Sequence, residues 1–173
     1  MFGDLPTATR TALTATFVAL IALGAWISIP FVPVPLTLQT FFVLLAGVLL
    51  GRWGFLPPLC YVVLGALGLP VFHNGLSGVG VLLGPTGGFL LGFVVAGLMV
   101  GLAYERTGKA GRMVGLALGR LAIYACGAAW MLLSTGMTLP AAIVVGALPF
   151  LPGDAVKGAA TYLLGERLRH HGP

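Results

Sequence analysis

The chain has 173 residues, of which 58% are hydrophobic and 8% charged, and its net charge is +5; its mean hydropathy is +1.06. A soluble domain carries roughly 25% charged residues, and surface-to-volume scaling forbids a water-soluble core of this length from hiding so much apolar surface, so the solvent is lipid. The apolar runs are continuous rather than alternating, which argues against a transmembrane β-barrel, and the 27 glycines suit helices that approach closely in a bilayer.

In chain order, Asp4, Pro6 and Thr7 are helix-start residues. They open a first predicted helix over about 7–29, long enough to cross about 30 Å of hydrocarbon. No convincing cleavage site follows it, so it reads as a retained span rather than a signal peptide. Its small residues Ala8, Ala12, Ala15, Ala19 and Ala22 share a face that admits close approach of another helix, either within the bundle or from a partner. Pro30, Pro33 and Pro35 then end the helix in a stiff apolar connection.

A second helix is expected over about 38–50, with Thr37, Gln39 and Thr40 at its start, and a turn at 51–54. A third is expected over about 56–69, its Pro57 and Pro58 tolerated in the first turn. Residues 68–88 form a long, glycine-rich, uncharged loop whose apolar content argues for function rather than disorder. Helices over about 88–104 and 113–133 flank a polar turn. Residues 141–148 make an apolar half-helix too short to span, and the break at 149–153 precedes a sixth helix over about 154–168.

Six spans place Arg10, Arg52, Arg106, Lys109, Arg112, Arg167 and Arg169 on one side, while loops 30–37, 70–87 and 134–140 contain no Lys or Arg. The positive-inside rule then puts both termini in the cytoplasm. This asymmetry accounts for the basic balance without nucleic acid. Cys60 and Cys126 lie in apolar runs and read as packing residues. The adjacent His170 and His171 read as a solvated tail, since no acidic partner is near enough to make a metal site.

Of the four acids, Asp4, Glu105 and Glu166 fall at the cytoplasmic ends, leaving Asp154 at membrane depth. Arg120 also lies within a span, two turns from its inner end, where its long side chain can snorkel to the interface. Asp154 and Lys157, at i and i+3, share one helix face on the outer half of the bundle. Charges inside a membrane are costly and mark functional sites. Asp154 can cap the helix start, and the broken helix before it resembles those that build midplane substrate sites. The pair is either a self-cancelling ion pair or an anchor for a ligand. No Ser-His-Asp or Cys-His set is in reach, no Walker loop is present, and the glycines near Gly84 follow no strand, so neither catalysis nor nucleotide binding is expected.

Four stretches then carry a family resemblance: Val32-Pro33-Val34-Pro35-Leu36-Thr37-Leu38-Gln39-Thr40, Gly68-Leu69-Pro70-Val71-Phe72, Gly84-Pro85-Thr86-Gly87-Gly88-Phe89, and Pro149-Phe150-Leu151-Pro152-Gly153-Asp154 with Lys157. In this order, and across essentially the whole chain, they resemble the BioY family of biotin transporters, the substrate-binding S components of energy-coupling factor (ECF) transporters. The resemblance implies an all-α membrane protein, a single integral domain over residues 1–173 with six transmembrane helices. It implies a biotin pocket on the outer half, capped by the first loop and the loop between helices 3 and 4. Asp154 and Lys157 would be its polar anchors, with Thr37, Gln39, Asn74, Thr86 and Tyr124 lining it. Lys157 is assigned to the biotin carboxylate and Asp154 to a ureido N–H, or Asp154 only orients Lys157. Ala15 and Ala19 would dock against a membrane-embedded coupling (T) subunit that works with two ATPase subunits. The expected location is the cytoplasmic membrane of a bacterium, with biotin as ligand, no cofactor and no enzymatic activity. The sequence departs from the family at Phe89, where a Tyr is frequent, and at His73-Asn74, where small residues are frequent. A stand-alone transporter for biotin or another small carboxylate, and a ligand-free membrane scaffold, are the competing readings.

Overall fold

The computed structural model describes residues 5–170, with side chains through residue 168. Asp4, His171 and the side chains of Arg169 and His170 therefore lie outside the described residues. The chain forms α1 (Thr7–Trp26), a two-stranded ribbon of β1 (Ser28–Ile29) and β2 (Leu36–Thr37), α2 (Gln39–Leu50), α3 (Leu56–Ala66), α4 (Val79–Leu83), α5 (Gly87–Arg106), α6 (Lys109–Thr135), α7 (Leu139–Gly146) and α8 (Leu151–His170). The proline-rich connection is thus a tight antiparallel ribbon, with Ser28 opposite Thr37 and Ile29 opposite Leu36. It shortens the first helix by three residues from its expected end.

Among the described residues, four stretches are long and apolar enough to cross a membrane: Thr7–Trp26, Gly87–Arg106, Lys109–Thr135 and Leu139–Leu168. The segments Gln39–Trp53 and Leu56–Ala66 are bent by 114° and make a fifth if counted as one span. At 12 and 11 residues, α2 and α3 are each only about 17–18 Å long at 1.5 Å per residue, short of the ~30 Å hydrocarbon thickness. The expected 141–148 half-helix is α7, and together with α8 it forms the apolar stretch Leu139–Leu168.

The centre of the bundle is α5, packed against α2, α3 and α6. Its approach to the 51–54 turn that follows α2 rests on glycine. A Cβ on Gly101 would strike the carbonyl oxygen of Gly51, and one on Gly97 the carbonyl oxygen of Gly54. No side chain fits where the two backbones touch. Around this contact Val43, Leu44, Val48, Ala96, Val100 and Tyr104 are fully buried.

The polar turns gather at one end. The Arg10 guanidinium lies 4.4 Å from the Trp53 ring centroid. The Arg52 backbone N–H donates to Glu105 Oε1 at 2.8 Å, and Arg112 Nη1 donates to Glu166 Oε1 at 2.8 Å. Helix ends from α1, α5, α6 and α8 and the 51–54 turn, far apart in sequence, therefore make charged contacts with one another.

Candidate functional site

At the other end, a narrow cavity of about 50 Å³ opens between the ribbon, the 73–86 loop and helices α2, α5, α6 and α8. Apolar residues line most of it: Val34, Pro35, Phe89, Leu90, Phe93, Ile123 and Phe150. The polar lining is Thr37, Gln39, Thr40, His73, Thr86, Tyr124, Asp154 and Lys157.

Asp154 is 1% exposed. Its Oδ1 accepts from Lys157 Nζ at 2.8 Å and from Thr40 Oγ1 at 3.3 Å, and its Oδ2 accepts from Tyr124 Oη at 2.6 Å. Lys157 Nζ also donates to the Thr37 carbonyl oxygen at 2.7 Å and to Thr40 Oγ1 at 3.1 Å. All three ammonium protons are therefore engaged. A buried charge is tolerable only when paired and hydrogen-bonded in this way. Alongside, Gln39 Nε2 donates to Tyr61 Oη at 2.8 Å, and Thr37 Oγ1 donates to Gln39 Oε1 at 3.0 Å.

Local sequence explains how these groups converge. Thr37 and Thr40 bracket the first turn of α2, so a backbone carbonyl and a hydroxyl face the same point. Tyr124 reaches across from α6. Helix α8 begins at Leu151, three residues before Asp154. Asp154 thus lies a turn inside the helix, and its carboxylate bonds side chains rather than acting as the expected helix cap. The reason is competition: an ammonium, a phenol and a hydroxyl are all within reach.

The structure brings together Asp154, Lys157, Thr37, Gln39, Thr86 and Tyr124 at one cavity. Asn74 lies outside this cavity. It adopts φ 56°, is exposed, and accepts from Ser28 Oγ at 3.4 Å. The left-handed turn directs it outward to the ribbon and leaves His73 lining the cavity. Burial lowers the His73 pKa below its ordinary 6.5. Thr40, Tyr61 and His73 are the polar groups that sequence reasoning missed. For Thr40 the signal was present as a hydroxyl one turn after Thr37, whereas Tyr61 required the tertiary contact.

Two further expectations concern the flanks. Ala15 and Ala19 are both exposed on α1. Ala15 lies in a groove of about 500 Å³ between α1 and α3 with Thr11, Thr14, Val18, Leu56 and Leu64. Arg120 does not snorkel free: its Nε and Nη2 are buried where the guanidinium packs on Gly158 of α8.

A family model described as "BioY family" matches residues 3–173. The chain belongs to the BioY family. It is 45% identical to a probable biotin transporter BioY of Pyrococcus horikoshii, over 94% of this chain and 97% of that protein. It is 43% identical to the biotin transporter BioY of Thermotoga maritima, over 88% of this chain and 91% of that one. Among solved structures it is similar to an S-component for biotin from an ECF-type ABC transporter, with a TM-score of 0.84 and 26% identity, covering 98% of this chain and 96% of that one. The long apolar helices and this family membership make the chain a multi-pass membrane protein.

Proposed function

We propose that this chain is the biotin-binding S component of an ECF-type transporter, a transport subunit rather than an enzyme, and that the cavity at Asp154 and Lys157 receives the vitamin. The observation that carries the reading is a buried, fully hydrogen-bonded Asp154–Lys157–Tyr124 cluster at the head of an apolar cavity, in a chain of the BioY family. Few polar anchors in an apolar pocket suit biotin's polar head and hydrocarbon chain.

The geometry favours a different orientation from the one read in the sequence. Asp154 and Lys157 neutralise each other at 2.8 Å, so the pair presents no net charge to a carboxylate. It holds an acceptor beside two donors, the ammonium and the Tyr124 phenol, whose protons turn from their present acceptors to the ligand when it enters. A ureido group, with N–H donors flanking a carbonyl, complements that set. Biotin's carboxylate then extends along the apolar walls toward His73 and Thr86. At about 50 Å³ the cavity is smaller than the ~300–1,000 Å³ of sites that hold drug-sized ligands, so binding moves the ribbon and the 73–86 loop outward.

The finer topology follows the same reading. Counting α2 and α3 separately gives six crossings and both termini in the cytoplasm, supported by the charged contacts at one end and the absence of Lys and Arg in the loops at the other. The exposed Ala15 and Ala19 face receives the membrane-embedded coupling subunit, which links the chain to two ATPase subunits in the cytoplasmic membrane. Biotin is the cargo and no resident cofactor is required.

Calorimetric titration of the purified protein with biotin tests this. Saturable binding at one site is expected, weakened strongly in Asp154→Asn and Lys157→Met. Failure of the wild type to bind, or unchanged binding in both variants, refutes the site.

A further inference from the structure

The hydrogen bonds at the cavity continue beyond the residues that line it. Thr37, whose carbonyl oxygen accepts from Lys157 Nζ at 2.7 Å, donates from Oγ1 to Gln39 Oε1 at 3.0 Å, and Gln39 Nε2 donates to Tyr61 Oη at 2.8 Å. Tyr61 lies on α3, is 0% exposed, and does not line the cavity. Its ring stands edge-on to Phe72, with centroids 5.4 Å apart and planes at 79°. Phe72 in turn fills the space left by Gly65, where a Cβ would strike its ring. A side chain enclosed in this way has its hydroxyl held in one place. The aromatic packing uses only the ring, so the hydroxyl serves a separate purpose.

In this arrangement each donor points from the cavity toward α3, and the chain ends on an unpaired group. The Tyr61 hydroxyl accepts from Gln39 but carries a proton of its own, for which no acceptor is present among the described residues. A buried donor without a partner is costly. The Gln39 amide can relieve this, because a half-turn about its last torsion exchanges an acceptor oxygen for a donor nitrogen at the same two positions. Tyr61 Oη then donates to Gln39 Oε1, Gln39 Nε2 donates to Thr37 Oγ1, and the Thr37 hydroxyl proton is released to the cavity. The Gln39 backbone N–H, which donates to Thr37 Oγ1 at 3.3 Å, anchors that oxygen in both directions. One direction strands a proton at buried Tyr61. The other presents it at the cavity wall, where a ligand acceptor can take it.

We propose that Tyr61 is a positioning residue of the ligand site, which acts through Gln39 to make the Thr37 hydroxyl a donor to a carbonyl on the ligand. This rests on the reading of the cavity as a biotin site. A ureido carbonyl has two lone pairs. The Lys157 ammonium supplies one donor, and Thr37, whose backbone that ammonium already holds, supplies the second. Tyr61 fills the acceptor that Gln39 vacates, so the relay stays satisfied from α3 to the ligand, and each bond polarises the next. Specificity follows from the same relay. The site selects a strong carbonyl acceptor over a weak one of similar shape, because a weak acceptor leaves the Thr37 proton poorly paired.

The test is calorimetric titration of the purified full chain with biotin and with thiobiotin, in which sulfur replaces the ureido oxygen. The proteins are wild type, Tyr61→Phe, Thr37→Val and the double variant. Wild type is expected to prefer biotin. Tyr61→Phe keeps the ring against Phe72 and is expected to bind biotin roughly 3- to 10-fold more weakly, the loss of about one neutral hydrogen bond. Its thiobiotin affinity is expected to stay within about twofold of wild type, because the weak acceptor never used the relay. Adding Tyr61→Phe to Thr37→Val is expected to change biotin binding by less than about twofold, since both substitutions remove the same donor. Wild-type biotin binding by Tyr61→Phe overturns the proposal. So does equal weakening toward both ligands, which marks a packing role, and so do additive losses in the double variant. A wild type that binds biotin and thiobiotin alike overturns it as well. If Tyr61→Phe does not melt as a folded protein, Gln39→Met interrupts the same relay and is held to the same comparison of ligands. A wild type that fails to bind biotin refutes the site reading itself, an outcome visible before any variant is compared.

Discussion

Replacing Lys157 by Met removes one partner of a buried ion pair and keeps the length and apolar stem of the side chain. Asp154, 1% exposed, then retains Tyr124 and Thr40 but loses its 2.8 Å cation. The Thr37 carbonyl and the Thr40 hydroxyl lose the same donor. Breaking a buried pair from one side costs about 3–5 kcal/mol, because it strands a charge rather than removing a bond. For a chain of this size each kcal/mol moves the melting temperature by roughly 2–4 °C, so the variant should melt about 6–20 °C below wild type in detergent. The double variant Asp154→Asn with Lys157→Met strands no charge and should recover at least half of that loss, while still failing to bind biotin. Thermal unfolding followed by intrinsic fluorescence, with a parallel biotin titration, provides both readouts. A Lys157→Met protein that melts with wild type refutes the reasoning, and so does a double variant that melts lower than the single one.

Tyr124→Phe deletes the 2.6 Å bond to Asp154 without disturbing the ring. Hydrogen bonds to charged groups contribute about 1.5–3 kcal/mol to stability, so the variant should melt below wild type yet still fold, and its biotin titration should weaken because the cluster has lost a donor. His73 has its pKa lowered below 6.5 by burial, so the unfolded chain binds this proton first as pH falls. The wild type should therefore lose stability on acidification below about pH 6.5, and melting curves across pH 5–8 should show that loss diminished in His73→Gln. Ala15→Leu with Ala19→Leu should leave biotin titrations of the isolated chain unchanged yet abolish uptake in cells that carry the coupling and ATPase subunits. Full uptake by the wild-type chain in cells lacking those ATPases would instead establish a stand-alone transporter.

Membrane residence, the approximate helices and the polarity of the bundle were legible without coordinates, because each depends on local quantities: the length of an apolar run, the position of a proline, the side on which Arg and Lys fall. The charged contacts that Arg10, Arg52, Arg112 and Glu166 make across the helix ends follow from the same charge pattern. Asp154 and Lys157 were legible as a pair because i and i+3 share a helix face. Helix ends were less so. The ribbon at Ser28–Ile29 and the start of α8 at Leu151 are set by packing and chain reversal, which composition does not encode.

The acid–base pair shows where the two sources of information divide. Its existence, depth and spacing are properties of the sequence alone. Whether it is open or self-satisfied depends on partners 30 to 120 residues away: Tyr124 for Asp154, and Thr37 and Thr40 for Lys157. The tertiary contacts decided that the pair is neutralised, that His73 rather than Asn74 lines the cavity, and that Arg120 packs on Gly158 instead of reaching the interface. Hydrogen bonds and Coulomb interactions act over a few ångströms, and only the packing of α2, α6 and α8 against one another brings such distant positions within that range.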